Sequence, residues 1–259
     1  MTTDPYAAMA QPFTRHYATI RGQVRDVLAA RQLSGHAPAA PALVADIGGG
    51  GGPQAFRLAR DGYDVALLDP SVQMLAIARD GLAREHPSVR ERVRLVEGYG
   101  EQASTLLGRS VFDLVLCHGV IMYVDDPAAL IAELGAVARP GGIVSLITKN
   151  AAALAMRPAL EGRFEDALRG FDAVADVGGM GVLNSAHTLP QLECWLDEAG
   201  CDLLAWYGIR VLTDHLGARP PGPDMDQILA AEWEAGRRDP YRHVARLIHV
   251  IARKRESAS

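Results

Sequence analysis

Between residues 43 and 148 the chain alternates short apolar runs with longer segments whose apolar residues recur every three or four positions. The runs at residues 43–47, 64–68, 93–96, 112–117 and 143–148 read as buried strands. The intervening segments predict helices over 53–61, 72–84, a short stretch near 102–107, and 127–138. Pro53 suits a first helical turn, and Ser71 is placed to cap a helix that carries Met74, Leu75 and Ala78 at helical spacing. Such alternation implies an α/β class protein with a parallel, doubly wound sheet and helices on both faces.

Outside this region the pattern is less regular. An amphipathic helix carrying Arg21, Arg25 and Arg31 is expected over 19–33, followed by a Pro/Ala linker at 35–41. Residues 151–160 look helical, whereas 163–186 are interrupted by glycine and read as a lid without a clear period. Thr188 can cap a helix over 189–199 that ends at Gly200. Two final strands are expected at 203–212 and 244–252, separated by a Pro-rich turn and an acidic helix near 225–235. The organisation expected is one domain: a helical extension (1–40), a core (41–150), and a lid with substrate-side elements and the last strands (151–259).

The candidate chemistry gathers at the ends of the first strands. Leu43-Val44-Ala45-Asp46-Ile47 runs into Gly48, Gly49, Gly50, Gly51 and Gly52, and the next strand ends in Asp69. A strand, a glycine-rich turn, a helix and an acid at the tip of the second strand describe a pocket for a ribose-bearing nucleoside. Asp69 is placed to accept hydrogen bonds from the two ribose hydroxyls. The third glycine of a dinucleotide fingerprint is replaced here by Pro53, and Asp46 would repel a pyrophosphate. An acid before the turn suits a cationic ligand instead. S-adenosylmethionine has an ammonium, a sulfonium and no phosphate.

These elements, with Arg139-Pro140-Gly141-Gly142, resemble the class I S-adenosylmethionine methyltransferases over residues 40–150. A narrower resemblance extends over nearly the whole chain. Gly22-Gln23-Val24-Arg25, Cys117-His118-Gly119-Val120, Trp195-Leu196-Asp197-Glu198-Ala199-Gly200, Gly208-Ile209-Arg210-Val211 and Ile248-His249-Val250-Ile251-Ala252-Arg253-Lys254 are similar to bacterial tRNA methyltransferases that esterify 5-carboxymethoxyuridine at the wobble position. The resemblance implies a Rossmann-like methyltransferase sheet, S-adenosylmethionine as cofactor, and cofactor contacts from Arg25, Gly49, Gly50, Asp69, Gly100, Glu101 and His118. In one respect the chain departs from that family. Where the family has a lysine- and arginine-rich segment, residues 172–179 are acidic and glycine-rich.

Gly48 completes the turn, and Asp46 is expected to orient the amino-acid part of the cofactor. Gly100 and Glu101 follow the third strand, where adenine edges lie in this fold. His118 sits just past the fourth, at the edge where open α/β sheets bind ligands. Tyr207 and Arg210, on the sixth strand, are candidate substrate contacts, since arginine can grip a carboxylate with two parallel bonds. Arg210 could equally pair with Asp214. The basic run Arg237, Arg238, Arg242, Arg246, Arg253, Lys254 and Arg255 could touch RNA phosphates or form a solvated face.

Composition limits the alternatives. At 259 residues, 49% hydrophobic and 22% charged, the chain is ordinary for a globular protein. Its net charge of −5 argues mildly against bulk nucleic-acid affinity. Cys117, Cys194 and Cys201 form no metal-type cluster and are expected to be reduced, so no metal is foreseen. No apolar run spans a bilayer and no signal-peptide pattern is present, so a cytoplasmic protein is expected. The reading is a methyltransferase acting on an oxygen, in first place the carboxylate of tRNA wobble uridine. The absence of an amine-holding Asn-Pro-Pro-Tyr motif points to oxygen, and a small-molecule O-methyltransferase of secondary metabolism, supported by the acidic 172–179 segment and the negative net charge, is the alternative. An NAD-dependent oxidoreductase and a cofactor-binding protein without catalysis are the remaining readings, and the former lacks its Tyr/Lys pair.

Overall fold

In the computed structural model, which describes residues 18–177 and 183–256, the strands are β1 (Leu43–Ile47), β2 (Asp64–Asp69), β3 (Val93–Glu97), β4 (Phe112–His118), β5 (Ala138–Lys149), β6 (Ala175–Val177), β7 (Leu183–Ser185), β8 (Cys201–Ile209) and β9 (Leu247–Lys254). The α-helices are α1 (Ile20–Ser34), α2 (Pro53–Arg60), α3 (Val72–Leu82), α4 (Pro87–Arg90), α5 (Ala103–Leu107), α6 (Pro127–Val137), α7 (Met156–Leu160), α8 (Phe164–Gly170), α9 (Leu189–Glu198) and α10 (Met225–Gly236). Seven strands form one sheet in the order β3-β2-β1-β4-β5-β9-β8, and β6 pairs with β7 as a separate hairpin.

The apolar runs are continuous because their strands are covered on both faces. In β2, Ala66 and Leu68 pack with α5, α6 and α9, while Val65 and Leu67 pack with α2 and α3. In β4, Val115 and Cys117 face the first group of helices, and Leu114 and Leu116 the second. Thr19 caps α1 by accepting from Gly22 N at 3.2 Å, Ser71 caps α3, and Thr188 with Gln191 forms a capping box on α9.

β1 to β5 pair in parallel. The last two strands, whose direction periodicity leaves open, run antiparallel, β9 against β5 and β8 against β9. The reversal has a topological cause: β8 and β9 are neighbours joined by an excursion through α10 that returns to the edge it left. The end of β8 and the start of β9 therefore lie on the same rim as the carboxyl ends of β1, β4 and β5. β5 begins at Ala138, earlier than expected, so Arg139-Pro140-Gly141-Gly142 belongs to the strand, opposite a register shift between Phe112 and Leu114. The expected lid segment holds α8 and the β6–β7 hairpin, with residues 178–182 outside the described residues. Cys117, Cys194 and Cys201 are free thiols. Among the described residues no helix is long and apolar enough to cross a membrane, and no group of His, Cys, Asp or Glu could hold a metal ion.

Candidate active site

A crevice of about 880 Å³, open solvent at its mouth included, lies at the carboxyl ends of β1, β2, β3 and β4. Arg25, Gly48, Gly49, Gly50, Asp69, Gly100, Glu101 and His118 all line it. The chain thus brings together every residue that the resemblance implied as a cofactor contact. Asp46 lies directly behind the loop: a Cβ on Gly49 would stand 2.7 Å from Asp46 Oδ2 and from Leu67 Cγ. Gly50 adopts a φ of +56°, where L side chains are strained, and its N–H donates to Asp69 Oδ2 at 2.9 Å. The other Asp69 oxygen accepts from Ser71 N at 2.9 Å, so backbone donors from both sides fix the carboxylate's orientation.

Asp46 is 3% exposed, and its Oδ2 has no hydrogen-bond partner among the described residues. Burial, and after it the neighbouring Asp69, pushes its carboxyl up to about 7. A buried acceptor without a donor, beside a second carboxylate, is a site that calls for a cation. The residues fit S-adenosylmethionine on this ground: an orphaned buried acid for an ammonium, a cradle without Cβ atoms, and an oriented carboxylate at the second strand's tip.

Arg25 reaches the crevice from α1, outside the sheet, and its Nη2 donates to His118 O at 2.7 Å. Glu101 lies in the single 3-10 turn Gly100–Gln102 that follows β3. Gly51, Tyr99, Met74, Pro70, Gly119, Val120, Tyr123 and Val124 complete the lining. Met74, which helical spacing assigns to the core, is both buried and part of the wall. Tyr99 and Tyr123 were missed by the sequence reading. Tyr99 caps the 3-10 turn two residues past β3 and Tyr123 ends the 3-10 turn Ile121–Tyr123 that follows β4, and position after a strand tip was the available signal.

His118 belongs to a buried polar chain rather than standing alone. Its Nδ1 is 3.0 Å from the Gln54 side-chain amide and its Nε2 is 2.8 Å from Ser145 Oγ, which in turn lies 2.8 Å from His249 Nε2. His249 Nδ1 is 2.8 Å from Gln32 Oε1, and Gln32 Nε2 donates to Gly208 O at 3.1 Å. That last bond orients the Gln32 amide, so His249 Nδ1 carries the proton. Ser145 then donates to His249 and accepts from His118 Nε2–H, and the Gln54 amide serves His118 Nδ1 through its NH₂ after a 180° turn. Burial, followed by His249, Arg25 and Arg57, holds the His118 imidazolium well below its usual range. His118 is neutral, with both ring nitrogens engaged.

Tyr207 and Arg210 do not line the crevice. The Tyr207 hydroxyl is 2.8 Å from His36 Nε2, beyond the end of α1. Arg210 lies on the same rim, beyond β9, with its Nε 3.4 Å from Asp214 Oδ1. Its φ is +60°, and the turn after it is held by the fully buried Glu232, which accepts from Val211 N, Leu212 N and Thr213 Oγ1. Most of the C-terminal basic run is paired with nearby acids: Arg237 and Arg238 with Glu234, Arg242 with Asp239, Arg255 with Asp197 and Asp202.

Known proteins agree with this geometry. Residues 45–146 match the family described as a methyltransferase domain. Over 96% of the chain and 95% of the relative, the sequence is 30% identical to the tRNA 5-carboxymethoxyuridine methyltransferase of Escherichia coli K12. A ubiquinone biosynthesis O-methyltransferase of Methylocella silvestris is 32% identical over 53% of this chain and 48% of its own length. The fold matches an S-adenosylmethionine-dependent methyltransferase from Listeria monocytogenes with a TM-score of 0.62 at 16% identity, covering 90% of this chain and 100% of that one. The chain therefore belongs to the S-adenosylmethionine-dependent methyltransferases, in the family of the tRNA 5-carboxymethoxyuridine methyltransferases.

Proposed function

We propose that this enzyme methylates a carboxylate oxygen, that of the carboxymethoxy group on a wobble uridine of tRNA. The observation that carries this reading is the match to the tRNA enzyme over almost the whole of both chains. The ubiquinone-pathway relative aligns over about half of this chain, which favours the tRNA acceptor over a small phenolic one.

The chemistry of the crevice agrees. When bound, S-adenosylmethionine supplies an electrophilic methyl group on a positively charged sulfur. In the proposed reaction a carboxylate oxygen forms the bond to that methyl carbon as the carbon–sulfur bond breaks, leaving a neutral ester and a thioether. No proton has to be removed, because a carboxylate with an ordinary pKa of roughly 4 is already ionised. A phenol or amine acceptor would need a base, and His118 has both nitrogens occupied and is held neutral. Asp69 would hold the ribose, Asp46 the ammonium, Arg25 the methionyl carboxylate, and Gly100 with Glu101 the adenine edge. The remaining work is alignment in a site that excludes water.

The test is methyl transfer from labelled cofactor to two anticodon stem-loops, one carrying 5-carboxymethoxyuridine and one carrying unmodified uridine. Nucleoside mass analysis should find one added methyl on the first alone, removable by mild base as expected of an ester. Label on neither loop would overturn the proposal.

A further inference from the structure

We propose that the basic residues at the ends of β5, β8 and β9 form the acceptor's carboxylate seat, and that Asp176 of the β6–β7 hairpin holds this seat when no acceptor is bound. The inference rests on the carboxylate reading above and names the residues that would recognise that substrate class.

The topology sets the seat beside the crevice. Ile147 of β5 pairs with His118 on one side and His249 on the other, and two residues on, Lys149 ends the strand. Arg246 immediately precedes β9, and Arg210 immediately follows β8. Arg21 lies one helical turn before the crevice residue Arg25, and Arg157 enters from α7.

The charges do not balance. Arg21, Lys149, Arg157, Arg210 and Arg246 stand against Asp176, Asp214 and Glu161. Lys149 is 3% exposed and Arg246 is 4% exposed. Burial pushes the Lys149 ammonium down to about 8 and the Arg210 guanidinium down to about 10. Uncompensated cations are costly to bury unless a ligand completes the site.

The hydrogen bonds are also incomplete. Arg210 Nε and Arg246 Nη1 are buried without a hydrogen-bond partner among the described residues. Asp214 sits 3.4 Å from Arg210 Nε, 3.7 Å from Arg246 Nε and 3.9 Å from Arg157 Nη1, and neither of its carboxylate oxygens makes a hydrogen bond among the described residues. It offsets charge without consuming donors. Arg210 is presented from a left-handed backbone, which a non-glycine residue keeps only where its surroundings impose it; Glu232 is the positioning residue that does so.

One carboxylate already occupies the seat. Asp176 accepts from Lys149 Nζ and, at 2.7 Å, from Arg246 Nη2, with Arg157 Nη2 at 3.8 Å. This is the donor set a substrate carboxylate would take, offered to a residue on a two-stranded hairpin that is not part of the main sheet. An incoming carboxymethoxy group would exchange with Asp176, carboxylate for carboxylate.

Two measurements test this, with S-adenosylhomocysteine bound throughout. In the first, stem-loops carrying 5-carboxymethoxyuridine or the uncharged 5-methoxyuridine are titrated into wild type and Arg246→Gln. The variant should lose at least about tenfold in affinity for the carboxylated loop, with the methoxy loop and S-adenosylhomocysteine within about twofold of wild type. Equal losses on both loops, or no loss, would overturn the seat. Asp176→Asn should lower the Kd for the carboxylated loop, and a raised Kd would overturn the placeholder. In the second, phenoxyacetate, which carries the same O–CH₂–COO⁻ group, is followed through the arginine Nε–H resonances. The Arg210 signal should shift with phenoxyacetate and not with phenoxyethanol or methyl phosphate. A phosphate response alone would overturn the carboxylate assignment. Phenoxyacetate binding without any tRNA methylation would overturn the tRNA acceptor and leave the seat standing.

Discussion

The two halves of the sheet's carboxyl rim are built from opposite charges. Over β1 and β2 the chain places Asp46 and Asp69 behind a loop of glycines, and Asp46 keeps an oxygen without a donor. Over β5, β9 and β8 it places Lys149, Arg246 and Arg210, and the two arginines keep donors without acceptors among the described residues. His118 and Arg25 stand between them. Each half crowds like charges together, which is unfavourable for the free protein and favourable once a ligand of opposite sign arrives. On the proposed reading, one edge would hold a cationic methyl donor and an anionic acceptor side by side, with little need for acid–base chemistry where they meet.

The contrast can be broken from the acidic side first. Asp69→Ala removes the acceptor for Gly50 N and Ser71 N together with the proposed ribose contacts. Charge-assisted bonds of this kind are worth roughly 1.5–3 kcal/mol each, so calorimetry should show S-adenosylhomocysteine affinity falling by about a hundredfold or more. Retained affinity would remove the acidic half from the cofactor site.

The next effect depends on pH. Asp46 titrates near 7 in the folded protein, above its ordinary 3.8. Between those values the folded state holds a proton that the unfolded state has lost. The contribution to stability is therefore full below about pH 3.8, is lost as pH rises to about 7, and is constant above. A cation in the site favours the ionised form, so S-adenosylmethionine should bind about tenfold more weakly at pH 6 than at pH 8, with proton release on binding. Calorimetry in buffers of different ionisation enthalpy measures this, and Asp46→Asn should abolish the dependence.

Smaller changes sharpen the picture. Gly49→Ala drives a methyl group into Asp46 and Leu67. Overpacking of that kind costs about 1–3 kcal/mol, which should lower Tm by several degrees and weaken cofactor binding a few-fold. His118→Gln should have the smallest effect, a reduction of about threefold or less in kcat with an unchanged pH profile. A collapse of kcat that tracks a lost ionisation would make His118 a base and argue for a different acceptor.

The cofactor half was legible because its chemistry is local. Continuous apolar runs mark strands covered on both faces, and Asp46, the glycines and Asp69 lie within 24 residues of one another. Arg25 was reached only through the family resemblance, since nothing in an amphipathic helix says which arginine bends toward a strand tip. Of the proposed anionic-ligand half only Arg210 was legible, and the grouping around it was not, for a different reason. Lys149, Arg246 and Arg210 meet only because β9 runs backwards between β5 and β8, and periodicity carries no strand direction. The same blindness left the C-terminal basic run open between a contact to RNA phosphates and a solvated face. In the fold its members separate, with Arg242 stacked 3.9 Å over Trp206, Arg255 tied to Asp197 and Asp202, and Arg246 alone reaching the seat.

The interior position of β9 also decides which parts of the sheet depend on which. Residues 247–254 fill the gap between β5 and β8, so β8 has no partner in the main sheet without them. β1 to β5 pair among themselves without either strand, so Asp46 and Asp69 rest on a part of the sheet that β9 does not complete.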